Sequence, residues 1–170
     1  EVWDLDVFFE GGSGSPQLRE HLDQLQSKIT AAKSEVDQLT IPTSVEEADV
    51  IVRLLESITD VSLHLRQAGA VIGCYLAADT TDKKAVLLQG ETSTLNAQFQ
   101  TIMLKFQQML AKIDGETWDA LVSTESLNDF YFILNEWRDD VALKLSEKEE
   151  SLITALSVDG YQSWGQLYDQ

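Results

Sequence analysis

Leu18, Leu22, Leu25, Ile29, Ala32, Val36 and Leu39 recur in steps of three and four. Steps of that size return to one side of an α-helix and to neither face of a strand. This stretch therefore buries its apolar side chains only as a helix of about six turns, with Arg19, Glu20, Asp23, Lys28, Lys33, Glu35 and Asp37 on the polar side. The chain has two prolines, Pro16 and Pro42. Ser15-Pro16 places a capping hydroxyl before a proline at the first helical position. Pro42 lies in a break, after which Ser44-Val45-Glu46-Glu47 has the form of a capping box.

A long helix is predicted from this box through roughly Ala78. Its second half, from Val61 to Leu76, is apolar on most sides and is expected to be buried all round. Gly69 and Gly73, four apart, leave room for close helix contact. Asp79-Thr80-Thr81-Asp82 is a break with a new cap. The next helix is predicted from about Asp82 to Ile113, with Val86, Leu87, Leu95, Phe99, Ile102, Met103, Phe106, Met109, Leu110 and Ile113 at helical spacing, ended by Asp114-Gly115. Shorter helices follow: Glu116–Leu121, then an aromatic-rich one from about Leu127 to Leu143 capped by Thr124 or Ser126. A second capping box at Ser146-Glu147-Lys148-Glu149 opens a helix through Leu156, and Tyr161–Tyr168 forms the last. No run alternates with period two for long enough to make a strand. The expected fold is all-α, an antiparallel helical bundle of three long helices plus three or four shorter ones. Residues 1–15 form an N-terminal docking segment and Gly-rich loop, and residues 16–170 form the bundle.

Apolar types make up 44% of the 170 residues, which excludes a disordered tail. The net charge of −17 repels phosphate backbones and anionic lipid, so neither nucleic acid nor membrane is an expected partner. The single cysteine, Cys74, allows no internal disulfide and is expected as an inert buried thiol. With no basic and apolar leader at the start, a reducing, cytoplasmic setting is expected. His21 and His64 have no second histidine at helical spacing, so no zinc pair forms on one helix. Adjacent carboxylates such as Asp139-Asp140 point apart on a helix. Gly11-Gly12-Ser13-Gly14-Ser15 lacks the Lys-Ser/Thr and preceding strand of a phosphate loop. No catalytic or metal-binding residue is assigned.

The segment Trp3-Asp4-Leu5-Asp6-Val7-Phe8-Phe9 is too short to fold alone and must dock on this bundle or on another part of a larger protein. At the far end, Tyr161, Trp164, Leu167 and Tyr168 put large rings on a short helix. They serve either as local core or as an interface. Trp3, Phe8, Tyr161, Trp164 and Tyr168 are the candidate interdomain residues.

With both ends in view, the chain resembles the N-terminal helical domain of the M3-family zinc metallopeptidases of the oligoendopeptidase F group. The resemblance rests on Trp3 to Phe9, on Cys74-Tyr75-Leu76-Ala77-Ala78-Asp79-Thr80-Thr81-Asp82, on Leu145-Ser146-Glu147-Lys148-Glu149-Glu150, and on Gly160 to Tyr168, in that order. It implies a lobe that closes over a zinc-bearing catalytic lobe, forming the wall and size filter of a channel for short peptides. The parent's zinc site, a His-Glu-x-x-His helix with a further Glu, has no counterpart in this sequence. The implied cofactor, zinc, and the implied partner, a C-terminal catalytic domain, therefore lie outside it, and the reading frame is expected to continue past Gln170. The alternative is a free-standing acidic helical interaction module; an unrecognised small enzyme ranks last, because no nucleophile–base or metal constellation is present. On the lobe expectation, the purified chain with added zinc hydrolyses no peptide above background. Chelator-sensitive turnover by the chain alone would contradict it.

Overall fold

The computed structural model describes residues 4–141, 147–157, 160 and 163–168. Within these, three long helices dominate: α1 (Pro16–Asp37), α2 (Ala48–Ala78) and α3 (Lys83–Lys112). Four shorter ones follow: α4 (Gly115–Val122), α5 (Tyr131–Asp140), α6 (Glu147–Ser157) and α7 (Ser163–Tyr168). Short 3-10 turns at Gly12–Gly14, Val45–Glu47 and Asn128–Phe130 lead into α1, α2 and α5. No described residue is in a strand. The all-α bundle and its three long helices match the sequence pattern.

Cross-helix pairs give the directions. His21 meets His64 and Lys28 meets Asp60, so α1 and α2 run antiparallel. Arg19 pairs with Glu91 and Asp37 with Lys105, so α1 and α3 run parallel. The result is an up-down-up bundle in which α1, α2 and α3 each pack on the other two. The stripe on α1 is its core face: Leu18, Leu22, Leu25, Ile29, Ala32 and Val36 are all buried. They meet Ile51, Leu54, Ile58, Val61, Leu65 and Ile72 of α2 and Leu95, Phe99, Ile102 and Phe106 of α3 in one continuous core.

The helix ends follow local chemistry. The Asp82 carboxylate accepts from the Lys84 and Ala85 N–H groups at 2.9 and 3.1 Å, capping α3. Asp114, expected as a terminator of α3, also caps α4 by accepting from Thr117 N–H at 3.0 Å. Glu47 reaches back to accept from Ser44 N–H at 3.3 Å, at the head of the short turn that opens α2. Ser15 departs from expectation. Its hydroxyl makes no cap hydrogen bond; it is buried without a partner, because Ser15 is packed into the joint between the glycine loop and the bundle. The first 3-10 turn is entered through Gly11 and Gly12 at φ of 90° and 63°, left-handed conformations that favour glycine.

Burial corrects several expectations. The second half of α2 is not covered all round: Leu63 and Cys74 are exposed. Nothing approaches the positions a Cβ would occupy at Gly69 or Gly73, so no helix packs closely there. The reason is geometric. Two neighbouring helices cover only part of a helix circumference, and α1 and α3 both lie on the side of Leu65, Ala68 and Ile72. Val86 and Leu87 of α3 are likewise exposed, and Ala85 and Thr92 take the inward positions. At α5, a 3-10 turn replaces the first part of the expected helix, which begins only at Tyr131. Leu143 and Ser146, the expected end of that helix and start of the next cap, lie outside the described residues.

Leu25 is fully buried at the centre of α1. Leu25→Ala is expected to cost about 2–5 kcal/mol, read as a lowered urea midpoint with little change in slope. A second expectation concerns acid. Hydrogen bonds from Lys105 and Lys33 hold the exposed Asp37 carboxyl down from 3.8 to about 2. A carboxyl whose folded pKa lies below its unfolded one supports the fold above pH 4 and loses that support as pH falls toward 2. Asp37→Asn should flatten the loss of stability between pH 4 and 2, as measured by urea melts at each pH.

Candidate functional site

The N-terminal segment docks on this bundle. Phe9 is buried, its ring edge-on to His21 at 5.6 Å, and the Tyr75 hydroxyl donates to its carbonyl at 3.4 Å. Leu5 packs against the same core. The loop after it is tied down by Gly11 N–H donating to the Asp6 carboxylate at 3.1 Å. Phe8, one residue before the anchor, points away and is 57% exposed. On α7, Trp164 is 71% and Tyr168 91% exposed. Of the five expected interdomain residues these three are described and all present their rings to solvent. Trp3 and Tyr161 lie outside the described residues.

Among the described residues no ring contact joins Phe8 to Trp164 or Tyr168. Phe8 sits near the end of α2 and the start of α3, where Val86 and Leu87 are also exposed. At the opposite end of α3 stands a second apolar group that the sequence argument did not single out as a site: Phe130, Tyr131, Phe132 and Ile133 are all exposed, Phe132 by 73%. A signal for it was present. Four consecutive apolar residues entering a helix cannot share one face at 100° per residue, and Leu134 and Trp137 already point inward. Leu152, Ile153 and Leu156 of α6 and Leu167 of α7 are exposed as well.

The α5 group is held rigidly. Trp118 of α4 is buried, and its indole N–H donates to the Asn135 side-chain carbonyl at 2.8 Å. Arg138 lies over the Trp118 ring, 4.6 Å from its centroid, and donates to the Leu110 and Ile113 carbonyls at 3.1 and 2.7 Å. These carbonyls lie at the C-terminal end of α3: Leu110 C=O also accepts from the Ile113 N–H at 3.3 Å, and Ile113 is the residue that caps the helix. One guanidinium therefore closes α3, stacks on α4 and fixes α5.

The two histidines stack between α1 and α2, ring centroids 5.2 Å apart. His64 Nδ1 contacts the Asp60 carbonyl at 2.8 Å and His21 Nε2 the His64 carbonyl at 3.3 Å. Among the described residues no three His, Cys, Asp or Glu side chains come together as a metal site. No described helix is long and apolar enough to cross a membrane.

Arg138→Ala is expected to leave α1–α3 folded while destabilising the chain by about 1.5–3 kcal/mol, since carbonyls and an indole face lose a charged partner. Hydrogen exchange should speed first in α5 and at the end of α3.

Comparison with known families gives a match over residues 110–170 to the family model for the N-terminal region of M3 peptidases, described as Oligopeptidase F. The match spans a little over a third of the chain and takes in α4 to α7 with the last turn of α3. No curated protein and no solved structure matches the chain. Over residues 110–170 the chain is similar to the N-terminal domain of the oligopeptidase F family of M3 peptidases.

Proposed function

We propose that this chain is the non-catalytic N-terminal lobe of a zinc metallo-oligopeptidase, forming part of the channel wall and size filter over a catalytic region encoded elsewhere in the same protein. The observation that carries the proposal is the family match over α4 to α7, a part of the molecule that exposes aromatic and aliphatic side chains on α5, α6 and α7. Apolar residues presented this way suit contact with another domain. Phe132, Trp164 and Tyr168 are the side chains we assign to that contact, with Trp3, Phe8 and Tyr161 as further members. Zinc, in this proposal, belongs to the partner region, where it would activate water for peptide hydrolysis. This chain's own residues contribute shape and docking. The substrates are short peptides, folded proteins being too wide for the channel, and the setting is the cytoplasm.

The test uses the reading frame that contains this lobe. The intact enzyme should cleave short quenched peptides and leave a folded protein of similar sequence uncut. Phe132→Glu and Trp164→Glu lie on the surface and should preserve the helical circular dichroism of the lobe. Each should lower peptidase activity at least tenfold or release the size restriction. Full activity with unchanged size selection in the double variant would refute the assigned contact, and an open frame without a His-Glu-x-x-His segment would refute the parent enzyme.

A further inference from the structure

The face of α2 that α1 leaves uncovered forms, with α3, an open groove. Two basins make it up, of about 720 and 380 Å³, and they share Leu65, Arg66 and Asn96. From Ile58 to Gly73 the groove runs about 22 Å along α2, at 1.5 Å per residue. Its composition is unlike the rest of the molecule. The chain has 29 Asp and Glu residues, yet among the described residues none lines either basin, whose far wall includes Thr154 of α6. The charged residue that does line them, Arg66, has no ion pair among the described residues and stands near the middle.

The walls carry neutral hydrogen-bonding groups at helical spacing. On α3 these are Gln89, Ser93, Asn96, Gln100 and Gln107, which recur in steps of three and four or their sum. On α2, Thr59, Ser62, Arg66, Gly69 and Gly73 follow the same period. The side-chain amides of Gln89, Asn96 and Gln100 make no hydrogen bond among the described residues. Each offers both a donor and an acceptor. At the Ile58 end, Phe99, Met103 and Trp137 supply apolar surface. At the other end, the open space above Gly69 and Gly73 lets a ligand approach the helix backbone.

The geometry points to a binding site for an extended peptide that ends in a free carboxylate, its terminus on Arg66 and its preceding side chains over Phe99, Met103 and Trp137. An extended main chain presents N–H and C=O groups on alternating sides at about 3.3 Å per residue, which unpaired amides on a groove wall can meet in either sense. From Arg66 to the Ile58 end, about 12 Å accommodates three or four residues. A guanidinium meets a carboxylate with two parallel hydrogen bonds. In a molecule of net charge −17, a groove whose described lining carries no carboxylate spares a peptide terminus the repulsion it would meet elsewhere on the surface. Naming peptides as the ligand class rests on the lobe proposal above; the groove and its chemistry do not.

The test titrates the full chain with an N-acetylated tetrapeptide of apolar residues carrying a free C-terminal carboxylate, and with the same peptide as its C-terminal amide. Calorimetry gives affinity, and backbone amide NMR shifts give location. The free acid should bind about tenfold more tightly than the amide, with shifts centred on Arg66, Asn96 and Gln100. Arg66→Gln, an exposed change, should bring the acid down to the affinity of the amide. Arg53→Gln, on α2 outside the groove, should change neither. Asn96→Ala with Gln100→Ala should weaken both peptides. Equal binding of acid and amide, shifts away from the groove, an equal effect of Arg53→Gln, or no binding of either peptide would overturn the assignment. These measurements need no catalytic region, so their failure leaves the lobe proposal to its own test of size selection, and failure of that test leaves peptide binding here to be judged by itself.

Discussion

Everything in this molecule hangs on the seam where the apolar stripe of α1 meets α2 and α3. Leu18, Leu22, Leu25 and Ile29 are buried along a helix that touches two others through most of its length. Apolar burial at roughly 25 cal/mol per Å2 dominates such an assembly, and the surface ion pairs across it contribute far less. The bidentate Arg19–Glu91 pair and the Lys105–Asp37 pair do something else: at matching offsets along α1 and α3 they set register and direction between parallel helices. The same seam dictates what is left open. With α1 nested against one side of α2 and α3, their other side has no helix of the long trio to cover it, and the groove is the consequence.

The C-terminal part is attached by different means. Arg138 ties α5 to the end of α3 and the Trp118–Asn135 hydrogen bond ties α4 to α5, with Leu121, Val122, Leu127 and Leu134 buried in the same core. A charged side chain that satisfies helix-end carbonyls and stacks on an indole is worth more than its exposed counterparts because both partners are partly desolvated. Holding α5 this way turns Leu134 and Trp137 inward and leaves Tyr131 and Phe132 outside. The joint and the exposed rings of α5 fall within residues 110–170, the part of the chain that is similar to the oligopeptidase F N-terminal domain.

Charge is distributed with the same economy. Carboxylates crowd the outer faces, where water and salt screen them, and several act locally as caps: Asp82 on α3, Asp114 on α4 and Glu47 at the head of α2. Among the described residues, the lining of the α2–α3 groove is neutral apart from Arg66, in contrast to the acidic outer faces.

Much of the fold was legible along the chain because its signals are local. Helical periodicity in α1, the break at Pro42, the cap at Asp82 and the end of α3 at Asp114-Gly115 depend on residues within one or two turns, and all of them appear where the spacing placed them. The resemblance to that family was legible as well, from short markers in order between Trp3 and Tyr168, of which the last two fall within the matched residues 110–170. What the spacing left undecided was which face of each helix has a neighbour. An apolar run such as Val61 to Leu76 reads alike whether one side or every side is covered, so the exposure of Leu63 and Cys74 and the open backbone at Gly69 and Gly73 awaited the arrangement of α1 and α3. The Ser15 hydroxyl, the reach of Arg138 across 28 residues to the Leu110 carbonyl, and the meeting of unpaired amides with Arg66 were likewise decided by tertiary structure. Local sequence determines where helices begin, end and turn apolar, since backbone hydrogen bonds close within four residues; exposure and sites follow from contacts between residues far apart in the chain, which only packing brings together.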